Sequence, residues 1–362
     1  MADDPTDLAA ELHARGERAL ADGELQEADA LAGRAAELFA SVDPEHPDVA
    51  NALLLCARIA HARSDFGREL ALAEQAAAIV EAARRAWPDE DVVAQLHAHV
   101  AAEVATALVA LGRYDAAERV LAAELGDAPA RLGADAAEIG ELCNLLGIVH
   151  KYQARYDDAA ACYARAVALT RRHHGDDSLE MASLEHNLGG LDHARGELAR
   201  AEPHARRAVE LREAALGPDH PAVGAELAAW AAILDDQGRA AEAEAALHRA
   251  LAIFERAHGE LHFEVGYTLG SLGSLHAGAA RWDAAGPALE RARRILVAVL
   301  GDEHVEVARV DQYLAVVAHG RGDRPAALAH AERALAICAR AFPPDHPRTV
   351  DARTTRDAIA GT

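Results

Sequence analysis

Apolar residues recur at three- and four-residue spacing along almost the whole chain, a pattern typical of amphipathic helices. No sustained alternation of apolar and polar residues predicts a strand. The segment 223–259, "VGAELAAWAAILDDQGRAAEAEAALHRALAIFERAHG", shows the pattern well. It predicts a helix that starts near Pro221, a turn at Gln237 and Gly238, and a second helix from about Ala240. Gly259 is expected to end that helix, because glycine adopts the left-handed C-cap conformation without steric cost. The sequence therefore predicts an all-α fold of helix pairs.

Three sets of small residues repeat with a spacing of 42 residues, so the chain is a repeat protein. One set marks the connectors between pairs: Gly133, Gly175, Gly217, Gly259 and Gly301. A second set marks the turns within pairs: Gly112, Ala154, Gly196, Gly238, Ala280 and Gly322. The third set lies inside the first helices: Ala105, Gly147, Gly189, Ala231, Gly273 and Ala315.

Each connector carries the signals that end one helix and start the next. In "LGPDHPAVG" (216–224), Gly217 ends a helix, Pro218 stops its continuation and Pro221 suits the first helical turn. Asp219 or His220 supplies the N-cap. Histidines occupy the same slot at 262, 304 and 346, so we expect them to be structural.

The repeat divides the chain into a single array over 7–346, after a disordered N-terminus over 1–6. The array is expected to hold eight helix pairs, followed by a capping helix and tail over 347–362. The third unit is longer than the others, and we expect its connector at 125–138 to be irregular. The pairs are expected near 7–41, 47–86, 91–131, 136–175, 178–217, 221–259, 262–301 and 304–343.

Composition and charge narrow the choice of partner. Alanine, the best helix former, is the commonest residue, and aromatic residues make up only 4%. The net charge of −23 argues against nucleic acid and an anionic membrane as partners, and favours a basic one. The four cysteines form no CxxC pair, and the acidic N-terminus does not resemble a signal peptide. We expect a cytoplasmic protein, and the alanine- and arginine-rich composition suggests a bacterium with GC-rich DNA.

The motifs of known chemistry are missing from the sequence. Neither GxxxxGK[ST] nor GxSxG occurs. Twenty histidines raise the question of a metal, but "HGELHFE" (258–264) inverts the HExxH order and contains a helix-breaking glycine. His97 and His99, two residues apart, point to opposite sides of a helix. We therefore expect no catalytic residue, metal or cofactor.

The segments "HNLGGLDHARGELARAEPHARRAVELREAALGPDHP" (186–221), "GRYDAAERVL" (112–121) and "ARYDDAAACYARAVAL" (154–169) carry a resemblance. The chain resembles the tetratricopeptide repeat, in the 42-residue variety found in kinesin light chains and many bacterial regulators. The resemblance covers nearly the whole chain. It implies a right-handed superhelical solenoid in which the first helix of each pair lines a concave groove, and a function in binding protein or peptide.

The resemblance also implies candidate groove residues. When the small residue inside each first helix is position 8, positions 2, 5, 6, 9, 12 and 13 should face inward. Asn144 and Asn187 match the peptide-gripping asparagines of the family, since an amide can donate and accept hydrogen bonds at once. The alternative is that these two amides only join neighbouring helices. The candidate ligand-binding residues are Asn144, Lys151, Tyr152, His186, Asn187, His193, Tyr267, Arg309, Gln312 and Tyr313.

These observations predict a non-enzymatic scaffold, or a regulatory partner of a separately encoded effector. The resemblance implies a caspase-like peptidase, a switch ATPase or a kinase as the effector, since similar repeats accompany these proteins in bacteria. Two alternatives stay open. The first is an enzyme or metal-dependent protein that uses the histidine, aspartate and glutamate side chains of the groove. The second is a self-assembling structural solenoid.

Overall fold

The computed structural model describes residues 5–87 and 90–361, and over these residues every regular element is a helix. The predicted all-α class and the number of helices, seventeen, are confirmed. The helices are α1 (Pro5–Ala21), α2 (Leu25–Val42), α3 (Pro47–Ala62), α4 (Phe66–Ala86), α5 (Asp91–Ala110), α6 (Tyr114–Leu132), α7 (Ala137–Tyr152), α8 (Tyr156–His173), α9 (Leu179–Ala194), α10 (Leu198–Leu216), α11 (Pro221–Asp236), α12 (Ala240–His258), α13 (Phe263–Gly278), α14 (Trp282–Leu300), α15 (Val305–Gly320), α16 (Arg324–Ala341) and α17 (Pro347–Gly361).

The helices fall into two compact units, Met1–Arg195 with α1 to α9 and Gly196–Thr362 with α10 to α17. We name them unit 1 and unit 2. Within each unit, consecutive helices pack against each other, and α17 packs on α15 and α16. Helix α1 begins at Pro5, so residues 5 and 6, which we expected to be disordered, are helical. Residues 1–4 of that segment lie outside the described residues.

Backbone dihedral angles explain why the five connector positions of the 42-residue set all hold glycine, while the turn positions also hold alanine. Gly217 has φ 87° and ψ 156°, a region that only glycine occupies at low cost. Ala154, at a turn position, has φ 59°, in the left-handed helical range that other residues reach at a modest cost. The two sets of small residues therefore answer two different backbone requirements.

The small residues inside the first helices allow close helix packing. A Cβ added to Gly147 would lie 2.4 Å from the ring of Tyr163, which is fully buried on α8. A Cβ added to Gly273 would lie 2.4 Å from the side chain of Leu289 on α14. In both pairs, the glycine leaves room for a large side chain sixteen residues later.

The connector histidines cap helices, as predicted. The Nδ1 atom of each accepts a hydrogen bond from the backbone N–H two residues later, which satisfies one free donor at the start of the next helix. His220 is the N-cap of α11, with a distance of 3.1 Å to the nitrogen of Ala222. The others that cap in this way are His46, His262, His304 and His346.

The expected irregular segment at 125–138 is mostly helical, so that expectation was wrong. Helix α6 continues to Leu132, with Pro129 inside it. The extra residues of this unit lie in its first helix, since α5 has 20 residues against 16 in α7. Arg131 holds the last turn in place, because its guanidinium lies 2.6 Å from the carboxylate of the buried Glu124 and donates to the carbonyl of Ala94.

Among the described residues, one helix, α5, is long and apolar enough to cross a membrane. More than half of its apolar stretch is buried, and it packs between α4 and α6. A core helix of a helical array has the same properties, so α5 is explained by its packing.

Candidate ligand-binding face

In unit 1, the first helices of successive pairs contact one another side by side. Helix α3 contacts α1 and α5, and α7 contacts α5 and α9. These contacts place α1, α3, α5, α7 and α9 on one continuous face, which we name the first-helix face. Side chains at the positions predicted to face inward are thereby brought together across helices.

Two adjoining cavities open on the first-helix face, and they share His99 and Glu141. The first has a volume of about 410 Å³ and reaches the end of α8. The second has a volume of about 390 Å³. We name the two cavities together the acidic groove. Its polar lining comprises Glu17, Asn51, Arg58, His99, Glu103, Thr106, Glu138, Glu141, Asn144, Thr170, His174, Glu180 and Ser183.

The groove holds an excess of carboxylates. Five glutamates line it against a single arginine, Arg58, whose guanidinium lies 3.7 Å from the carboxylate of Glu17. Within the described part of the chain, Glu103, Glu138 and Glu141 make no hydrogen bond or ion pair through their side chains. These three carboxylates are available to a ligand.

Burial makes two of these carboxyl groups hold their protons more tightly. Burial raises the pKa of Glu103 to about 7, and the nearby Glu69 carboxylate adds to the effect. The groove walls partly desolvate Glu141, although its side chain stays exposed to solvent, and this raises its pKa. Glu138 acts in the same direction, whereas His99 and Arg58 oppose the shift. In both groups desolvation outweighs the attraction of Arg58, so the groove disfavours the ionised carboxylates.

The structure brings the two predicted asparagines together. The side-chain nitrogen of Asn187 on α9 donates to the side-chain oxygen of Asn144 on α7, at 2.8 Å. Asn187 is buried, while Asn144 is half-buried and lines the 410 Å³ cavity. Asn187 therefore joins two helices, as the alternative interpretation proposed, and Asn144 is the member of the pair that faces the groove.

A second cluster lies at the end of α7. The ring of Tyr152, 56% exposed, stacks on the ring of Tyr114 with centroids 5.1 Å apart. The ammonium of Lys151, the one lysine of the chain, lies 5.5 Å from the centre of the Tyr152 ring. Burial lowers the pKa of Lys151. On α9, His186 is exposed and His193 is half-buried.

The predicted residues of unit 2 are used for packing. The Arg309 guanidinium lies 4.6 Å from the centre of the Tyr267 ring and donates to Glu306 at 2.8 Å. The Gln312 amide donates to the hydroxyl of Thr355 on α17, at 3.0 Å. Tyr313 packs against the core of unit 2.

The side chains of Cys162, His150 and Glu118 resemble a catalytic triad, but most of this arrangement recurs elsewhere in the chain as a structural contact. The Cys162 sulfur lies 3.8 Å from Nδ1 of His150, whose Nε2 lies 3.5 Å from Glu118. Burial raises the pKa of the thiol to about 11, which leaves it a poor nucleophile.

The same histidine and glutamate occur three repeats later, where His276 lies 3.8 Å from Glu244 and Ala288 takes the place of the cysteine. In both copies an arginine of the turn completes the set, since Arg155 pairs with Glu118 and Arg281 with Glu244. The recurrence without a thiol indicates a structural role.

The sequence reasoning missed two features. Glu141 occupies position 2 of α7, where the resemblance implies an inward side chain, but only the structure shows that it adjoins Glu103 in a cavity. The second feature is a group of three side chains in unit 2 that could hold a metal ion: His258, His262 and Glu264.

The comparisons with known proteins agree with this architecture. The family model described as tetratricopeptide repeat matches residues 137–214, 225–296 and 264–340. No curated protein matches the chain.

Three solved structures have folds similar to that of this chain. The apo form of RapI has a TM-score of 0.63 and 11% identity, and the match covers 98% of each chain. BtubC (BKLC) from P. vanneervenii has a TM-score of 0.56 and 21% identity over 65% of this chain and 92% of its own. A Rap protein complexed with Competence and Sporulation Factor has a TM-score of 0.57 and 12% identity, again over 98% of each chain.

Proposed function

This chain belongs to the tetratricopeptide repeat family, and we propose that it binds a basic segment of a partner protein in the acidic groove of unit 1. Repeats of this family generally serve as protein-interaction scaffolds. The proposed ligand is a peptide segment that carries lysine or arginine and lies across α3, α5, α7 and α9.

The observation that carries the proposal is the pair of Glu103 and Glu141. Both carboxyl groups line one cavity and make no ion pair among the described residues, and the arginine that acts on them from a distance, Arg58, already pairs with Glu17. Desolvation raises the pKa of both carboxyl groups and so favours their protonated, neutral form. A cationic side chain of a ligand would offset the cost of ionising these groups, because an opposite charge nearby favours the ionised carboxylate. The net charge of −23 would in addition speed the approach of a basic partner.

An amide that lines the groove and an aromatic ring at the end of α7, outside the groove lining, suit a peptide. The amide nitrogen of Asn144 makes no hydrogen bond among the described residues, so it can donate to a backbone carbonyl of the ligand. Tyr152 adds an exposed ring of the kind enriched at interaction hot spots. Together these groups offer charge, backbone contacts and apolar area.

The biological setting belongs to the same proposal. We propose that the chain acts in the cytoplasm, as a scaffold or as the regulatory partner of a separately encoded effector. One similar fold was solved with Competence and Sporulation Factor bound, which is compatible with this role. The enzymatic alternative is disfavoured by the high pKa of the Cys162 thiol and by the recurrence of its His–Glu neighbours elsewhere.

Peptide charge tests the proposal. A fluorescein-labelled lysine-rich peptide and a matched peptide with glutamate at every lysine position are titrated with the protein, and fluorescence anisotropy is recorded. We expect the lysine-rich peptide to bind at least tenfold more tightly. Equal affinity for the two peptides contradicts the proposal. Light scattering of the protein alone is measured alongside, and a chain that self-assembles while it binds neither peptide supports the structural alternative.

A further inference from the structure

The segment "HGELHFE" (258–264) brings three potential metal ligands to one point between α12 and α13. His258 is the last residue of α12, and Gly259, with φ 78°, turns the chain. His262 is the N-cap of α13, and Glu264 lies in its first turn. The ligands come from the end of one helix and the start of the next, so the HExxH pattern, which needs both histidines on one helix, does not describe them.

The distances between donor atoms approach those of a coordination site. Nε2 of His258 lies 3.1 Å from a carboxylate oxygen of Glu264, and Nδ1 of His262 lies 3.7 Å from the same oxygen. One donor atom from each residue lies within 4.8 Å of the other two. Ligands about 2.1 Å from a tetrahedral Zn²⁺ are roughly 3.4 Å apart, and the two stacked imidazole rings would have to turn apart for both nitrogens to point at one ion.

The connector between α12 and α13 differs from the other histidine-capped connectors in the residue four before the capping histidine. The residue four before the capping histidine is Leu216, Leu300 or Phe342 in the connectors of His220, His304 and His346. Phe342 stacks on His346 with centroids 4.1 Å apart, much as His258 stacks on His262 at 4.2 Å. An apolar residue therefore suffices for the stacking, and His258 adds a nitrogen donor that the connector does not need.

The backbone at the N-cap of α13 also differs from that of other connectors. The hydrogen bond to Nδ1 of His262 is 3.4 Å long, close to the range from 3.1 Å at His220 to 3.3 Å at His46. The φ angle of His262 is −134°, whereas it is −73° at His220 and −76° at His304. Nδ1 of His46 likewise lies 3.3 Å from Asp48, so the pairing of a capping histidine with an acid is not peculiar to α13, and it is His258 that adds the third donor.

We propose that His258, His262 and Glu264 form a binding site for a divalent transition metal, with Zn²⁺ as the reference ion. Two imidazole nitrogens and one carboxylate oxygen are a ligand set that suits Zn²⁺, and water would take the fourth position. The ion would tie the end of α12 to the start of α13 and stabilise unit 2. The proposal is independent of the peptide groove, which lies in unit 1.

The test is a calorimetric titration of untagged, chelator-treated protein with Zn²⁺ under reducing conditions. We expect one equivalent to bind the parent in the micromolar range or tighter. His258→Leu and Glu264→Gln should each weaken this binding at least tenfold. Leucine fills the slot of His258 in two other connectors, so the His258→Leu variant is expected to fold. The matched control, His304→Ala, removes a connector histidine without companions and should leave Zn²⁺ binding unchanged.

Two further readouts keep the assignment specific. Zn²⁺ should raise the melting temperature of the parent and of His304→Ala but not of His258→Leu, because an ion that binds only the folded state stabilises it. X-ray absorption should show nitrogen and oxygen ligands and no sulfur. The proposal is overturned if the parent binds no equivalent, if His258→Leu binds as the parent does, or if sulfur ligands are found.

Discussion

The amide of Asn187 donates a 2.8 Å hydrogen bond to the amide of Asn144, and this bond joins α9 to α7. Gln312 and Thr355 make the corresponding bond between α15 and α17, at the same separation of 43 residues. The first helices of neighbouring pairs are thus connected by side-chain hydrogen bonds in both units.

Removal of one partner of this bond should cost stability. Asn187→Ala leaves the Asn144 oxygen without its donor, and we expect the free energy of unfolding to fall by about 1–2 kcal/mol. The exposed Gln75→Ala, at a side chain that makes no hydrogen bond among the described residues, is the control and should change it by less than about 0.5 kcal/mol. Chemical denaturation followed by circular dichroism measures both. The double change at 144 and 187 should cost less than the sum of the single changes, whereas additive costs would show that the bond contributes nothing.

The contact between Gly147 and Tyr163 predicts a compensating pair. Gly147→Ala places a methyl group 2.4 Å from the buried ring, and we expect it to lower the free energy of unfolding by about 1–3 kcal/mol. Tyr163→Leu in the same chain should restore part of this loss, because Ala105 and Leu121 form such a pair in another repeat. A double-mutant cycle on unfolding free energies checks this. Strict additivity would mean that the two side chains do not compete for space.

The connector backbone predicts a large effect at Gly217. Gly217→Val forces a β-branched residue to φ 87° and ψ 156°, and we expect a loss of at least about 2 kcal/mol. Gly126→Ala is the control, because Gly126 lies inside α6 with nothing within 4 Å of an added Cβ. It should be neutral or stabilising. Equal melting temperatures for Gly217→Val and the parent would contradict the assigned backbone conformation.

The pKa of Glu103 predicts the direction of a pH dependence. Because its pKa rises from an ordinary 4.5 to about 7 on folding, the folded state holds the proton more tightly than the unfolded state. The contribution of this group to stability therefore falls as the pH rises from about 4.5 to about 7.

Glu103→Gln removes this titration. The free energies of unfolding of parent and variant should be similar near pH 4, below the unfolded pKa, and the variant should be the more stable at pH 8. Parallel pH profiles for the two proteins would show that Glu103 titrates normally.

The fold could be predicted from sequence because each repeated residue answers a local requirement. Gly217 is needed for a backbone angle, Gly147 for close packing and His220 for a helix cap, so one period located every helix pair. The place of the extra residues in the third unit could not be predicted, because the sequence shows the longer spacing but not that α5 runs for 20 residues where α7 has 16.

The sites were harder to predict, because they combine residues from different elements. Glu103 and Glu141 lie on α5 and α7, and neither position signals on its own that its carboxylate lacks a partner. His258, His262 and Glu264 are close in sequence, yet the known metal motif assumes a single helix. The sequence indicated that Asn144 and Asn187 belong together. Only the structure shows that the Asn187 amide donates to Asn144 rather than facing a ligand.

The most direct test of the proposed function is the dissociation constant of the lysine-rich peptide for Glu103→Gln/Glu141→Gln. The control is Glu37→Gln/Glu45→Gln, which removes the same charge from exposed positions of unit 1 outside the groove. We predict at least tenfold weaker binding for the groove variant, about 1.4 kcal/mol, and less than a twofold change for the control. Equal losses in the two variants, or an unchanged dissociation constant in a correctly folded groove variant, would contradict the assignment of the ligand to the acidic groove.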